Sequence, residues 1–213
     1  MIRNNDEFLD LFENSLMSFT NAPFVVLTDR CTNAIFLSLW YLKHYKNVDI
    51  SKITLPARTY QSVPMTLKNL LNIEIEFEDY EWQKMYKIYQ NDDYNVIDAA
   101  VGFEENMYMP GSMMCLSFQQ KKQLPIGKGG AILLDDYEAY FTLSKLAHDG
   151  RLRYLSDREL IKESPDSILP GFHMNMSPDE AAKGILLLNQ YKEKPTGSSK
   201  DYADLRKIEC LVK

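Results

Sequence analysis

The chain has 213 residues, 45% of them hydrophobic, and 24 lysines and arginines against 30 aspartates and glutamates, for a net charge of −6. That size allows about one domain with a sizeable core, and the acidic balance removes the electrostatic pull that nucleic-acid and anionic-membrane binders rely on. Three widely separated cysteines, Cys31, Cys115 and Cys210, argue against a disulfide framework and against a zinc site.

The opening stretch MIRNNDEFLDLFEN lacks the apolar core and cleavage site of a signal peptide. No apolar run approaches the roughly 18–20 residues that span a bilayer, so a cytoplasmic protein is expected. Phe8, Leu9, Leu11, Phe12 and Leu16 share one face of a helix over 5–18. FVVL (24–27) reads as a strand, and RCTNAIFLSLWYLKHY (30–45) as a buried helix, apolar almost all round. KITLP (52–56) is a second strand, and 62–71 a helix with Pro64 in its first turn. IEIEF (73–77), YNVIDAA (94–100), MMCLSF (113–118) and GAILLDD (130–136) read as further strands, and 136–148 as a helix. Ser177-Pro178-Asp179-Glu180 is a capping box with proline at the first helical position, opening a helix over 178–191. The polar run KEKPTGSSKD after Lys192 reads as a linker.

Strands alternating with helices through residue 100 predict an α/β fold around a mixed, mostly parallel sheet flanked by helices. Ligands in such folds sit beyond the carboxyl ends of the strands. TDRCT, ARTYQ and Asp98 fall there. The first opens a helix whose free N–H groups suit a phosphate. Asp98 either caps a turn or, as a buried carboxylate, holds a proton on a cofactor ring nitrogen. Tyr60 either packs or stacks on a ligand. Lys121 and Lys122 lie between two strands, as solvated loop residues or with one as an amine for Schiff-base chemistry. Gly127, Gly129 and Gly130 lack the spacing of a P-loop or a dinucleotide fingerprint. No nucleophile elbow, H-E-x-x-H pair or calcium loop occurs, and His44, His148 and His173 share no ligand spacing.

Five stretches, taken in order over roughly residues 20–190, resemble the DegT/DnrJ/EryC1/StrS family of sugar aminotransferases, fold type I pyridoxal-phosphate (PLP) enzymes. VLTDRCTNAIFLSL is similar to the family's Ser-Gly-Thr-x-Ala-Leu segment, and ITLPARTYQSVPMTL to its Pro-x-x-Thr-aromatic segment. VIDAA resembles its strand ending in Asp-x-Ala. SFQQKKQLPIGKGGAIL resembles Ser-Phe-x-x-x-Lys-x-x-x-x-Gly-Glu-Gly-Gly, and GFHMNMSPDEAAKGILLL resembles Gly-x-Asn-x-Arg-Met-x-x-x-x-Ala-Ala. Counting five from Ser117 reaches Lys122, not Lys121.

The resemblance implies the large domain of the aspartate aminotransferase fold over residues 1–192, a polar tail over 193–213, and no C-terminal small domain. It makes Lys122 and Asp98 the catalytic pair. Lys122 would bond the cofactor and move protons, and Asp98 would keep the pyridine nitrogen protonated. Tyr60 would stack on the ring, and the Cys31 and Thr32 amides with the Ser117 hydroxyl would hold the phosphate. His173 aligns with an asparagine that reaches the neighbouring subunit's phosphate, which implies a homodimer. Some members carry histidine at the lysine position and dehydrate instead, so Lys122 favours transamination. The chain departs from the pattern at Arg30-Cys31, Val101, Lys128, His173 and Asn175. The implied function is transfer of an amino group from glutamate to a nucleotide-linked keto-sugar, as in polysaccharide biosynthesis. The alternatives are a PLP-fold protein without turnover, which binds PLP or a sugar nucleotide or serves as a partner subunit, and an unrelated α/β protein.

Overall fold

The computed structural model describes residues 6–154 and 165–212. Residues 5 and 213, which the sequence reading placed in the first helix and the tail, lie outside the described residues. Helix α1 (Glu7–Thr20) buries Leu9, Phe12 and Leu16 and ends at Asn21 in the left-handed conformation. Strand β1 (Phe24–Thr28), helix α2 (Cys31–His44), strand β2 (Lys52–Pro56), helix α3 (Ser62–Leu71) and strand β3 (Glu74–Glu78) follow as expected. Then come β4 (Tyr86–Gln90), β5 (Asn95–Asp98), β6 (Met113–Ser117), β7 (Gly130–Leu134) and α4 (Tyr137–Ala147). Helix α5 (Pro178–Asn189) opens with the expected capping box, and a short α6 (Glu209–Val212) ends the described chain.

Five strands form one sheet in the order β1-β7-β6-β5-β4, and β2 pairs with β3 separately. The expected mostly parallel sheet is corrected here. Only β5–β6 is parallel in the main sheet, whereas β1–β7, β6–β7 and β4–β5 are antiparallel. The reason is connection length. Strand β4, absent from the sequence reading, joins β5 through a turn in which Asn91 Oδ1 accepts the N–H groups of Asp93 and Tyr94 at 3.1 and 2.7 Å, and so short a link forces reversal. Strand β7 returns from β6 without a helix between them. Strands β2 and β3, linked by α3, are parallel.

Alternate strand residues feed two cores. Val26, Val96, Cys115 and Ile132 pack with α2, α3 and α4, while Leu27, Ile97, Leu116 and Leu133 pack with Phe12, Leu16 and Ala181 of α1 and α5. Burial on both faces explains why these strands read as continuous apolar runs. Helices α1 and α5 meet closely at Gly184, where a Cβ would lie 2.5 Å from the Phe12 ring.

The segment after Lys192 does not lead away from the body. Gly197 N–H donates to Val101 O and Lys84 N–H to Gly197 O, at 3.0 and 2.9 Å, and Ser199 N–H donates to Trp82 O at 3.0 Å. Leu205 and Leu211 are buried. Its polar composition reflects backbone pairing, which leaves no apolar periodicity to read.

Candidate functional site

A cleft of about 950 Å3 opens at the carboxyl ends of β1, β2, β5 and β6. Cys31, Thr32, Tyr60, Asp98, Ser117 and Lys122 all line it. Six of the seven expected site residues therefore meet in one place, contributed by four separate segments. His173 does not join them. It lies on the surface, 82% exposed, with Nδ1 3.2 Å from Asp149 Oδ1.

The first turn of α2 forms one wall. Its N-cap, Arg30, is extended, with no side-chain cap on the first N–H groups, and β7 comes so close that a Cβ on Gly130 would stand 2.5 Å from Cys31 N. Glycine is needed there to admit the backbone. Thr32 Oγ1 lies 2.8 Å from Ser62 Oγ, which ties the start of α2 to the start of α3. Free N–H groups at the head of a 14-residue helix suit an anion.

Asp98 ends β5 and is 6% exposed. Its Oδ1 accepts the Ala100 N–H at 2.9 Å, and its Oδ2 accepts the Tyr86 hydroxyl, also at 2.9 Å. Burial pushes its pKa up, against the pull of those two hydrogen bonds and the Lys122 charge. Cys31 packs beside it, with the thiol 4.0 Å from Oδ1 and 3.5 Å from Cys115 O. Burial and then the Asp98 charge drive that thiol well above its usual range, so it is a neutral, unreactive wall.

Lys122 is half-buried in the loop after β6, and its N–H donates to Gln119 O at 2.8 Å. Its charge acts on both Asp98 and Cys31. Lys121 also reaches the cleft, from an exposed position. Tyr60, 56% exposed, stands at the rim. Lys128 and Arg30 both approach Asp29, at 3.7 and 3.1 Å, so the lysine standing where the family has glutamate meets a carboxylate.

Sequence reasoning missed Tyr86, Trp82 and the whole of Pro195–Tyr202, which line or support the cleft. Tyr86 carried only the alternation of YKIYQ. Residues 195–202 gave no signal, because backbone pairing places them.

The residues fit a molecule with an anionic end, a ring nitrogen and a carbonyl carbon: the α2 N-terminus for the first, Asp98 for the second and the Lys122 amine for the third. Residues 99–202 match the DegT/DnrJ/EryC1/StrS aminotransferase family, which bears out the resemblance read from the motifs. No curated protein matches the chain. Among solved structures, it is similar to a GDP-4-keto-6-deoxymannose-3-dehydratase with a trapped PLP-glutamate geminal diamine (16% identity, TM-score 0.67), covering 86% of this chain and 61% of that one. It is also similar to a putative PLP-dependent aminotransferase from Bacillus cereus (18%, TM-score 0.66, 86% and 58%) and to the sugar aminotransferase CalS13 from Micromonospora echinospora (14%, TM-score 0.66, 86% and 60%). The fold is that of fold type I PLP-dependent enzymes. The chain spans about three-fifths of the length of these structures.

Proposed function

We propose, from the family match over residues 99–202 and the cleft, that this chain holds pyridoxal phosphate and transfers an amino group from glutamate to a nucleotide-linked keto-sugar. The observation that carries the reading is the convergence of Asp98, Lys122 and the α2 N-terminus on one cleft.

Each residue has a role that its chemistry permits. The Cys31 and Thr32 amides, with the Ser117 hydroxyl, bind the phosphate through donors left free at the helix start. Asp98, shielded from water, keeps a proton on the ring nitrogen. Its burial costs least when a cation stands against it. The Lys122 amine would hold the cofactor covalently and would be the base that moves a proton in the cleft. Tyr60 covers the ring from the rim. Pyridoxal phosphate, when bound, supplies an electron sink for the pair left by a broken C–H bond. His173 lies outside its own cleft, and the proposal includes a homodimer in which it serves the partner's site, as the family resemblance implies. Among the described residues no helix is long and apolar enough to cross a membrane, and a cytoplasmic enzyme is the setting we propose.

A second reading, a PLP-binding protein without turnover, draws on Cys31. Its side chain occupies a position where the family's glycine has none. One experiment separates the two. The purified protein is mixed with pyridoxal phosphate and the visible absorbance recorded, and glutamate is then added. Conversion to the pyridoxamine form supports the transaminase. A bound spectrum that glutamate leaves unchanged supports the second reading, and no bound spectrum overturns both.

A further inference from the structure

Tyr86 and Asp98 face each other across the antiparallel β4–β5 ladder. The Tyr86 hydroxyl lies 2.9 Å from Asp98 Oδ2 and 2.6 Å from Thr59 Oγ1. A phenol has one proton, and a carboxylate can only accept. Tyr86 therefore donates to Asp98, and Thr59 donates to Tyr86. All three are buried, at 5%, 6% and 2% exposure, so water does not replace either bond.

The ring of Tyr86 is itself clamped. Trp82 packs on it with ring centroids 5.0 Å apart, and Trp82 Nε1–H donates to Arg58 O at 2.9 Å. Ser199 N–H donates to Trp82 O at 3.0 Å. The line from the C-terminal segment to the carboxylate is continuous.

We propose that Tyr86, oriented by Thr59, is the positioning residue for Asp98: it fixes the carboxylate at the floor of the cleft and keeps it ionised in a dry site. In a water-poor site an unsolvated carboxylate takes up a proton unless donors hold it. Ala100 N–H and the Tyr86 hydroxyl are the close donors, at 2.9 Å each, and the Cys31 thiol is a weaker one at 4.0 Å. The other titratable groups facing it are Cys31 from α2, Cys115 from β6, Lys122 from the loop after β6, and Tyr202 from the C-terminal segment. Of these only Lys122 is cationic. Asp98 with Tyr86 behind it is then charged when a protonated ring nitrogen arrives. That consequence rests on the PLP reading above, whereas the Tyr86–Asp98 link does not.

The test uses Tyr86→Phe, which keeps the ring against Trp82, and Thr59→Val, which keeps the shape of Thr59. The first readout is the Asp98 carboxyl titration in cofactor-free protein, followed by carbon NMR. The second is equilibrium binding of pyridoxal phosphate between pH 5 and 9, followed by tryptophan fluorescence. Loss of a hydrogen bond to a charged group raises the Asp98 midpoint by about one pH unit, which is about a tenfold change in its ionisation equilibrium. In Tyr86→Phe the acidic limb of the affinity profile moves up by the same amount, with about tenfold weaker binding on that limb and recovery at higher pH. Thr59→Val shifts both in the same direction by less, and Thr59→Ser restores them. A loss of affinity equal at every pH, or an Asp98 midpoint unmoved in Tyr86→Phe, overturns the proposal. Wild-type protein that binds no pyridoxal phosphate overturns the functional reading, and the Asp98 titration then decides the role of Tyr86 alone.

Discussion

Gly130 lies against the backbone of Cys31: a Cβ at Gly130 would stand 2.5 Å from Cys31 N and 2.9 Å from Arg30 O. Strand β7 and the first turn of α2 therefore share a contact with no room for a side chain, at the place where a phosphate would meet free N–H groups. Gly130→Ala must push the helix start away from the strand. Overpacking of this kind costs about 1–3 kcal/mol. Denaturant unfolding should show that loss, and affinity for pyridoxal phosphate should fall further than stability alone explains.

Arg153 anchors α1 through two of its carboxylates. Its Nη1 and Nη2 donate to Glu13 Oε1 and Oε2 at 2.8 and 2.6 Å, and it also pairs with Asp10. Glu13 is 7% exposed, and burial raises its pKa in spite of the arginine. A carboxyl whose folded pKa lies above its unfolded value binds its proton more tightly when native, so its protonation stabilises the fold in acid. That contribution disappears as pH rises through the ordinary carboxylate range to the raised value. Arg153→Leu leaves the charge buried and alone, at a cost of about 3–5 kcal/mol near neutral pH. The deficit should shrink as pH falls toward that of a protonated Glu13. Thermal unfolding at several pH values checks the sign, since a deficit that grows in acid contradicts it.

The three thiols should separate by reactivity. Cys210 is exposed, while Cys31 and Cys115 are buried, and burial raises the pKa of both. A thiol reagent should modify one cysteine quickly in the native protein and the other two only on unfolding. Peptide mapping of the fast-modified site should find Cys210.

The C-terminal segment is part of the core and not a tether. Leu205 is 3% exposed, and its N–H donates to Ala57 O at 2.8 Å beside the cleft. Leu205→Ala should destabilise the whole protein by about 2–5 kcal/mol in one cooperative transition. A flexible tail would tolerate the change with no shift in the unfolding midpoint.

Much of this architecture was legible in the residues. The α2 run, the strand ending at Asp98 and the capping box at Ser177 announced themselves because local chemistry decides them. The lysine pair was legible as part of the site too, since Lys121 and Lys122 both reach the cleft that holds Asp98. Strand order was not. Tyr86 reaches Asp98 only because a tight turn at Asn91 folds β4 back on β5, and nothing in YKIYQ states its partner. The strap at Pro195–Tyr202 was hidden for a similar reason: main-chain hydrogen bonds to Val101, Lys84 and Trp82 hold it, and main-chain bonding leaves little trace in side-chain pattern. His173 shows the limit of alignment by motif, since it lies on the surface beside Asp149 and outside the cleft that holds the other six residues.

The central claim is that Lys122, and not its neighbour Lys121, is the amine for the cofactor. Borohydride reduction of the protein mixed with pyridoxal phosphate, followed by peptide mass spectrometry, tests it directly. The account predicts a phosphopyridoxyl group on Lys122 at near-stoichiometric yield, absent in Lys122→Ala. A group on Lys121, or one scattered over surface lysines, would contradict it.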